Sequence, residues 1–536
     1  MSQPLGVSEL LREAAARVPD RPAVIEGARR MTFRELDAEC SRLAQGLVSS
    51  GIGPGVRAAL LVPPGLEFVA VTFALFRAGA VPVLVDPGIG WRNMGRCLAE
   101  AEPEAFIGSP KAQLARWAGS WASASLKTCV TVGPRLWGGG SLAALRRRGR
   151  SGAPPAAWAL PNAAAAILFT SGSTGAPKGA VYTGEIFAHQ ARMLREHFHI
   201  EPGGFSVPTF PLFALFDVAL GLSAIIPRMD ATRPARVDPR EIIGPIQSYG
   251  AVQLFGSPAL LDAVGRYGQR YGIALPSLLR VICAGAPMPA SVMARIVRML
   301  PAGAQVHTPY GATEALPVAC ISSSEVLGET AELTAQGRGV CVGRAWPGMK
   351  VEVIRISDEP IARWSPDLAA AEDEVGELVA SGPVVTREYF RKPEATALAK
   401  IPDPEGVRHR MGDLGRIDAQ GRIWFYGRKS QRVAAPGETL FTIPCEAVFN
   451  QHSKVRRSAL VGVGLWGAQV PVLCVEAESG AEPDRVRAEL LALARQYPHT
   501  RSIRTVLFHP GFPVDIRHNA KIFREKLAVW AKEHMA

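Results

Sequence analysis

Charged residues make up 20% of this 536-residue chain and aromatic residues 7%, and no apolar run approaches a membrane span, which needs roughly 20 residues. The longest apolar stretch of interest, 214–227, is broken by Asp217. The first twenty residues carry charges throughout and lack an apolar core with a cleavage site, so no secretory leader is expected and a soluble cytoplasmic protein is predicted. The eight cysteines form no CxxC pair and none stands at zinc-ligand spacing from a histidine. That argues against a disulfide scaffold or a zinc ribbon and for scattered small apolar residues in a reducing compartment. No fixed-period repeat marks a solenoid. The net charge is +12, but its densest cluster, RRRGR at 146–150, has no interleaved aromatics. It reads as a solvated loop, and no nucleic-acid partner is expected.

What is present is a globular composition, 48% hydrophobic, in a chain too long for one core. Residues 58–62 are apolar and end at Pro63-Pro64; 66–78 have helical periodicity and stop at Gly79; 80–85 are apolar again. This strand-helix-strand unit predicts a parallel sheet and an α/β fold. Further units are expected at 251–255, 258–271 and 279–283, after a connector at 154–166 and a strand at 165–169. Near Gly427 the pattern shifts. Strands at 459–463, 470–476 and 505–509 and a helix at 484–496 predict a small α+β domain.

The strongest chemical signal is TSGSTGAPKG at 170–179, directly after an apolar strand. Hydroxyls and main-chain N–H groups in such a loop suit a polyanion, and Gly172 and Gly175 permit close approach of the backbone. Lys178 adds a point charge. The spacing is not that of a Walker A loop.

The chain resembles the AMP-forming synthetase superfamily, which holds acyl-CoA synthetases, luciferases and peptide-synthetase adenylation domains. The resemblance rests on the phosphate loop, Cys283-Ala284-Gly285-Ala286-Pro287, Tyr310-Gly311-Ala312-Thr313-Glu314, Met411-Gly412-Asp413 (Met where the family has Thr) and Gly427-Arg428, in family order. It implies a large adenylate-forming domain of layered sheets and helices over 1–427, a hinge at 428–431 and a mobile lid at 432–536. It implies ATP and Mg²⁺ as cofactors. Nucleotide contacts are then expected from Thr170, Ser171, Gly172, Ser173, Thr174, Gly175, Lys178, Gly285, Ala286, Pro287, Tyr310, Gly311, Ala312, Thr313, Asp413 and Arg428. The Tyr310 ring would stack on adenine, Thr313 would donate to the α-phosphate, and Asp413 would accept from the ribose hydroxyls. Glu314 and Thr174 would hold Mg²⁺. The catalytic set would be Lys521, Glu314, Thr313 and Arg428, with Lys521 bridging carboxylate and phosphate although Ala520 replaces the family's glycine and Lys526 is a rival.

Two departures narrow the reading. Ser430 stands where most members have Asp or Lys, and the loop AAPGETLFTIP lacks the usual lysine-and-glycine pattern. Together with FPLFALFD, TPYGATE, GRKSQRV and PVDIRHNAKI, these resemble one branch, the β-lactone synthetases of bacterial long-chain olefin biosynthesis. The resemblance implies adenylation of a long-chain 2-alkyl-3-hydroxy acid, attack by its own β-hydroxyl, and release of a β-lactone with AMP. It also implies assembly with a hydrolase-fold decarboxylase and a reductase of the pathway. The acyl pocket is expected at Phe210, Phe213, Leu215 and Phe216 with Gly285 and Gly311. Asp217, His307, His518 or the leaving phosphate would take the hydroxyl proton. A long-chain acyl-CoA or acyl-AMP ligase is the alternative, and a non-catalytic nucleotide-binding scaffold a third reading.

Overall fold

The computed structural model describes residues 6–134, 139–149, 163–170, 177–514 and 522–535. Strand Arg57–Leu61, helix Leu66–Arg77 and strand Val81–Leu84 follow one another, and the two strands are parallel. The helix stops where Gly79 takes φ +70°, a left-handed conformation that costs glycine nothing. These strands sit within a sheet of seven strands among the described residues, in the order Gly140–Ser141, Thr128–Thr131, Ala105–Gly108, Arg57–Leu61, Val81–Leu84, Ala164–Phe169, Gly179–Thr183. Only the last pair is antiparallel. Alternate residues feed two cores: Ala58, Leu60, Ile107 and Leu168 on one face, Ala59, Val83, Phe106 and Ile167 on the other. A sheet covered on both faces needs such continuous apolar strands.

A second sheet has fourteen strands among the described residues. Its parallel half runs Ser223–Ile225, Phe205–Pro208, Gln253–Gly256, Arg280–Cys283, Gln305–Ala312. From Ala315–Ser322 onward the neighbours are antiparallel, through Val340–Ala345, Ile423–Arg428, Gly406–Ile417, Gly376–Ser381 and Lys350–Ile354. The strand-helix periodicity of the sequence does not anticipate this antiparallel half.

Strands Val455–Val463, Val470–Ala477 and Thr505–Phe508 form a separate three-stranded sheet. Leu460 and Leu473 pack with Phe449 and Leu490 on one face, Val461 and Val472 with Leu527 and Ala531 on the other. Helices Thr442–Phe449, Pro483–Ala494 and Arg524–His534 supply these partners.

Two local expectations are corrected. The last residues of the supposed connector belong to strand Ala164–Phe169, and 150–162 lie outside the described residues. Arg146, Arg147 and Arg148 are not in a loop but form the last turn of helix Leu142–Arg148, where cations meet the negative end of the helix dipole. Arg146 pairs with Glu39 at 2.5 Å and Arg148 donates to Ser50 at 2.7 Å. The apolar stretch 214–227 divides between helix Pro211–Ala219 and strand Ser223–Ile225. No helix among the described residues is long and apolar enough to cross a membrane.

Candidate active site

The parallel strands of the large sheet end together. Phe210 follows Pro208, Ser257 follows Gly256, and Gly285 follows Cys283; all three line one cleft of about 1890 Å³. Crevices outside the carboxyl ends of parallel strands are where α/β sheets bind ligands. The opposite wall comes from the small sheet's lobe, through Ile443, Glu446, Asn450, Ser458 and Ile522 to Arg524.

Strands Gln305–Ala312 and Ala315–Ser322 pair Ala312 with Ala315, leaving Thr313 and Glu314 as a two-residue turn. A register shift between Tyr310 and Ala312 bends the strand there, a common way to re-aim a side chain. A Cβ on Gly311 would meet the Ala315 carbonyl at 2.5 Å, so the turn needs glycine. The turn is held from behind. The Thr386 N–H donates to the Glu314 carbonyl at 2.8 Å, and Tyr182 OH donates to the Thr313 carbonyl at 2.5 Å. Tyr389 OH donates to Glu314 Oε1 at 2.5 Å. Oε2 has no hydrogen-bond partner among the described residues, and Glu314 faces the cleft. Beneath it, buried Lys400 donates to Thr386 Oγ1 at 3.1 Å; burial pushes its amine down to about 7, with Glu314 opposing.

Asp413 and Arg428 are cross-strand partners on Gly406–Ile417 and Ile423–Arg428. Arg428 Nη1 donates to Asp413 Oδ1 at 2.6 Å, and Tyr310 OH donates to Oδ2 at 2.6 Å. The Asp413 charge, set against the cost of burial, raises the Arg428 pKa. Met411 is buried in the core and its carbonyl accepts from Arg428. Gly427 has φ +125°, and a Cβ there would collide with the Thr442 hydroxyl. The chain then makes a short turn over Lys429–Gln431 before entering the smaller lobe.

Thr170 N–H donates to the Lys178 carbonyl at 3.0 Å, and Lys178 N–H to Thr170 Oγ1 at 3.3 Å, closing the base of the hydroxyl-rich loop. Both line the cleft, and the Lys178 ammonium lies 5.1 Å from the Tyr389 ring centre. Ser171, Gly172, Ser173, Thr174 and Gly175 lie outside the described residues, as do His518 and Lys521. The residues after Lys521, Ile522 to Arg524, line the cleft, whereas Lys526 is exposed on helix Arg524–His534. Gly285, Ala286, Pro287, Gly311, Ala312, Thr313, Phe210, Phe213, Leu215 and Phe216 line it too. Phe213 stacks on Phe255 with centres 3.5 Å apart, and Phe216 approaches Phe187 at 6.3 Å. This wall continues through Phe68, Phe76 and Leu84 and is apolar along its length.

A family model described as AMP-binding enzyme matches residues 11–390. The chain belongs to the AMP-binding enzyme family. It is an AMP-forming enzyme. A protein of Stenotrophomonas maltophilia (strain K279a) named olefin beta-lactone synthetase is 48% identical over 554 residues, covering 100% of this chain and 99% of that one. A protein of the same name from Xanthomonas campestris pv. campestris is 49% identical over 512 residues, covering 94% of this chain and 91% of that one. Among solved structures, amide bond synthetase McbA from Marinactinospora thermotolerans has the same adenylate-forming fold, with a TM-score of 0.81, 23% identity and coverage of 98% and 99%.

Within this AMP-binding enzyme, two candidates for the hydroxyl proton stand apart from the cleft. Neither Asp217 nor His307 lines it. Burial, then His197, pushes the His307 imidazole down to about 4. Asp217 is a buried residue of helix Pro211–Ala219; Gln253 donates to its Oδ1 at 2.7 Å, and Oδ2 has no hydrogen-bond partner among the described residues. Burial pushes its carboxyl up to about 7 from an ordinary 3.8. The folded chain therefore takes up a proton between those values, and the stability this contributes at low pH is lost as pH rises through 7. Asp217→Asn is expected to stabilise the protein at pH 8 by on the order of 1–4 kcal/mol. The gain shrinks below pH 7 and is absent below about pH 4, as thermal unfolding across that range will test.

Tyr389, Lys400 and Arg524 are site neighbours that no motif flags. Arg524 donates to Glu446 at 2.7 Å and to Gln431 at 3.2 Å, tying the last helix to the short turn after Arg428. Their roles come from packing between distant segments, which local spacing does not carry.

Proposed function

We propose that this enzyme adenylates a long-chain 2-alkyl-3-hydroxy acid and closes it to a β-lactone, releasing AMP and pyrophosphate. The observation that carries this reading is identity near one half, over essentially the whole chain, with two proteins named olefin beta-lactone synthetases. In the first step a carboxylate oxygen attacks the α-phosphorus of ATP and pyrophosphate leaves. In the second the β-hydroxyl oxygen attacks the activated carbonyl, the bond from that carbon to the phosphate oxygen breaks, and the hydroxyl proton passes to a base. With Asp217 and His307 outside the cleft, the leaving phosphate and His518 remain as the candidate bases.

The described residues have parts that their positions support, while those of the loop before Lys178, Thr174 and Lys521 rest on the family resemblance. Lys178 and the loop before it bind the phosphates. Asp413 takes the ribose hydroxyls, Tyr310 flanks the adenine, and Arg428 holds Asp413 and reaches the phosphate. Glu314, with one oxygen free toward the cleft, suits a hard cation; with Thr174 it would hold Mg²⁺, which supplies charge neutralisation at the phosphates. Lys521 would bring a cation to the developing charge. Residues 1–427 serve as the adenylating domain, 428–431 as the hinge and 432–536 as the lid. The apolar wall from Phe210 to Phe76 fits two alkyl arms and excludes water from the anhydride. Holding the hydroxyl beside the carbonyl is worth on the order of 7–11 kcal/mol of barrier. The enzyme would work in the cytoplasm, beside a hydrolase-fold decarboxylase and a reductase of the olefin pathway.

Mass spectrometry of the products tests the reading. With ATP, Mg²⁺ and a long-chain 2-alkyl-3-hydroxy acid, a product lighter than the acid by one water is expected, formed with AMP and indifferent to CoA. A CoA adduct appearing only with CoA would assign the protein to the thioester-forming ligases.

A further inference from the structure

Three residues distant in sequence meet on the large sheet. His197 lies in the last turn of helix Gly184–Phe198, His307 on strand Gln305–Ala312 and Cys320 on strand Ala315–Ser322. The register sets His307 opposite Ser322 and Pro309 opposite Cys320. Residues two apart on a strand share a face, so His307 and Cys320 are diagonal neighbours on one face. One donor atom from each of the three side chains lies within 4.8 Å of the other two.

No side chain among the described residues donates to or accepts from these three donors. Neither imidazole has a hydrogen-bond partner among the described residues, and Cys320 Sγ meets only main-chain groups, those of Thr308 and, at 3.9 Å, the Ile321 carbonyl. The rings are held by aromatic packing instead. Trp346 lies 4.1 Å from His197, and Phe198 lies 5.0 Å from His307. His197 is exposed, which leaves a route in from solvent, while His307 and Cys320 are half-buried.

We propose that His197, His307 and Cys320 form a binding site for a borderline divalent metal ion, zinc foremost, that braces the hairpin bearing Thr313 and Glu314. Two imidazoles and a thiolate select zinc or cobalt over magnesium and calcium, which prefer oxygen ligands. The site is therefore chemically distinct from the one at Glu314. Tetrahedral zinc places such donors roughly 3.3–3.8 Å apart, so binding would draw the three side chains closer together. Three protein ligands leave the fourth position to water. Binding displaces the Cys320 proton, and the ion then ties the helix end to both strands of the hairpin three residues before Tyr310.

Cobalt titration of the chelator-treated, full-length protein in excess Mg²⁺ tests this. One equivalent of Co²⁺ should bind and give a thiolate-to-cobalt charge-transfer band, and Zn²⁺ should displace it and raise the melting temperature. Cys320→Ser should abolish the band. His197→Ala, at an exposed position where folding is not at stake, should weaken binding at least tenfold. Absence of the band in the unsubstituted protein, or a band that both variants retain, overturns the proposal.

Discussion

Glu314→Gln should lower the rate of acyl-AMP formation about 10²–10³-fold while leaving the melting temperature nearly unchanged. The substitution keeps the shape of the site. An amide oxygen still accepts from Tyr389 OH, and the turn is still held through the main chain by Thr386 and Tyr182. What disappears is the negative charge on the oxygen that faces the cleft. A hard cation accompanying ATP binds a neutral amide oxygen less well than a carboxylate, and charge developing in the phosphoryl-transfer transition state goes uncompensated. Exchange of labelled pyrophosphate into ATP, dependent on the acid, measures the step directly. Unaltered exchange would remove Glu314 from the machinery. A large fall in melting temperature would show that its charge is structural.

Arg410→Ala should cost about 3–5 kcal/mol of stability. Arg410 and Glu377 form an ion pair at 2.6 Å with both side chains only 1% exposed. The guanidinium also donates to the carbonyls of Glu359 at 2.7 Å and Leu398 at 3.1 Å. Lys429 shares the arrangement, donating to Glu377 at 3.1 Å and to the Ser357 carbonyl at 2.7 Å. Removing the arginine leaves a buried carboxylate with one cation and two carbonyls with no donor, which is far costlier than losing a surface pair. Urea unfolding will measure it; a loss below 1 kcal/mol would mean that solvent reaches the pair. Arg410 shares a strand with Asp413, and Lys429 follows Arg428 directly. The variant should therefore also show a raised KM for ATP below its melting temperature.

Where local signals agree, the fold is legible from the sequence. The helix Pro258–Tyr271 has Ser257 as its cap, Pro258 at its first position and Gly272 in the left-handed conformation at its end, so all three markers coincide with the apolar stripe. Strand Gln305–Ala312, QVHTPYGA, shows no alternation, because most of its residues are only half-buried beside the cleft and at the helix end. Its polar composition hides a central strand, and with it the reversal of sheet direction at its tip. The same holds for the site. Tyr310, Glu314 and Asp413 are visible as family motifs, but Tyr389 and Lys400 matter through a turn more than seventy residues away, joined by pairings that only the folded sheet creates. His197, His307 and Cys320 follow no metal-ligand spacing for that reason.

The two-residue turn between Ala312 and Ala315 also limits how this chain can vary. An exposed loop tolerates insertions because its ends remain where they were. Here a single added residue shifts the pairing by one step, and a one-step shift turns every side chain of a strand to the opposite face. Tyr310 would leave the cleft as Thr313 moved, and Val318 would leave the core. Exchange of residue types along this hairpin is thus a graded change, whereas a change in its length is all-or-none.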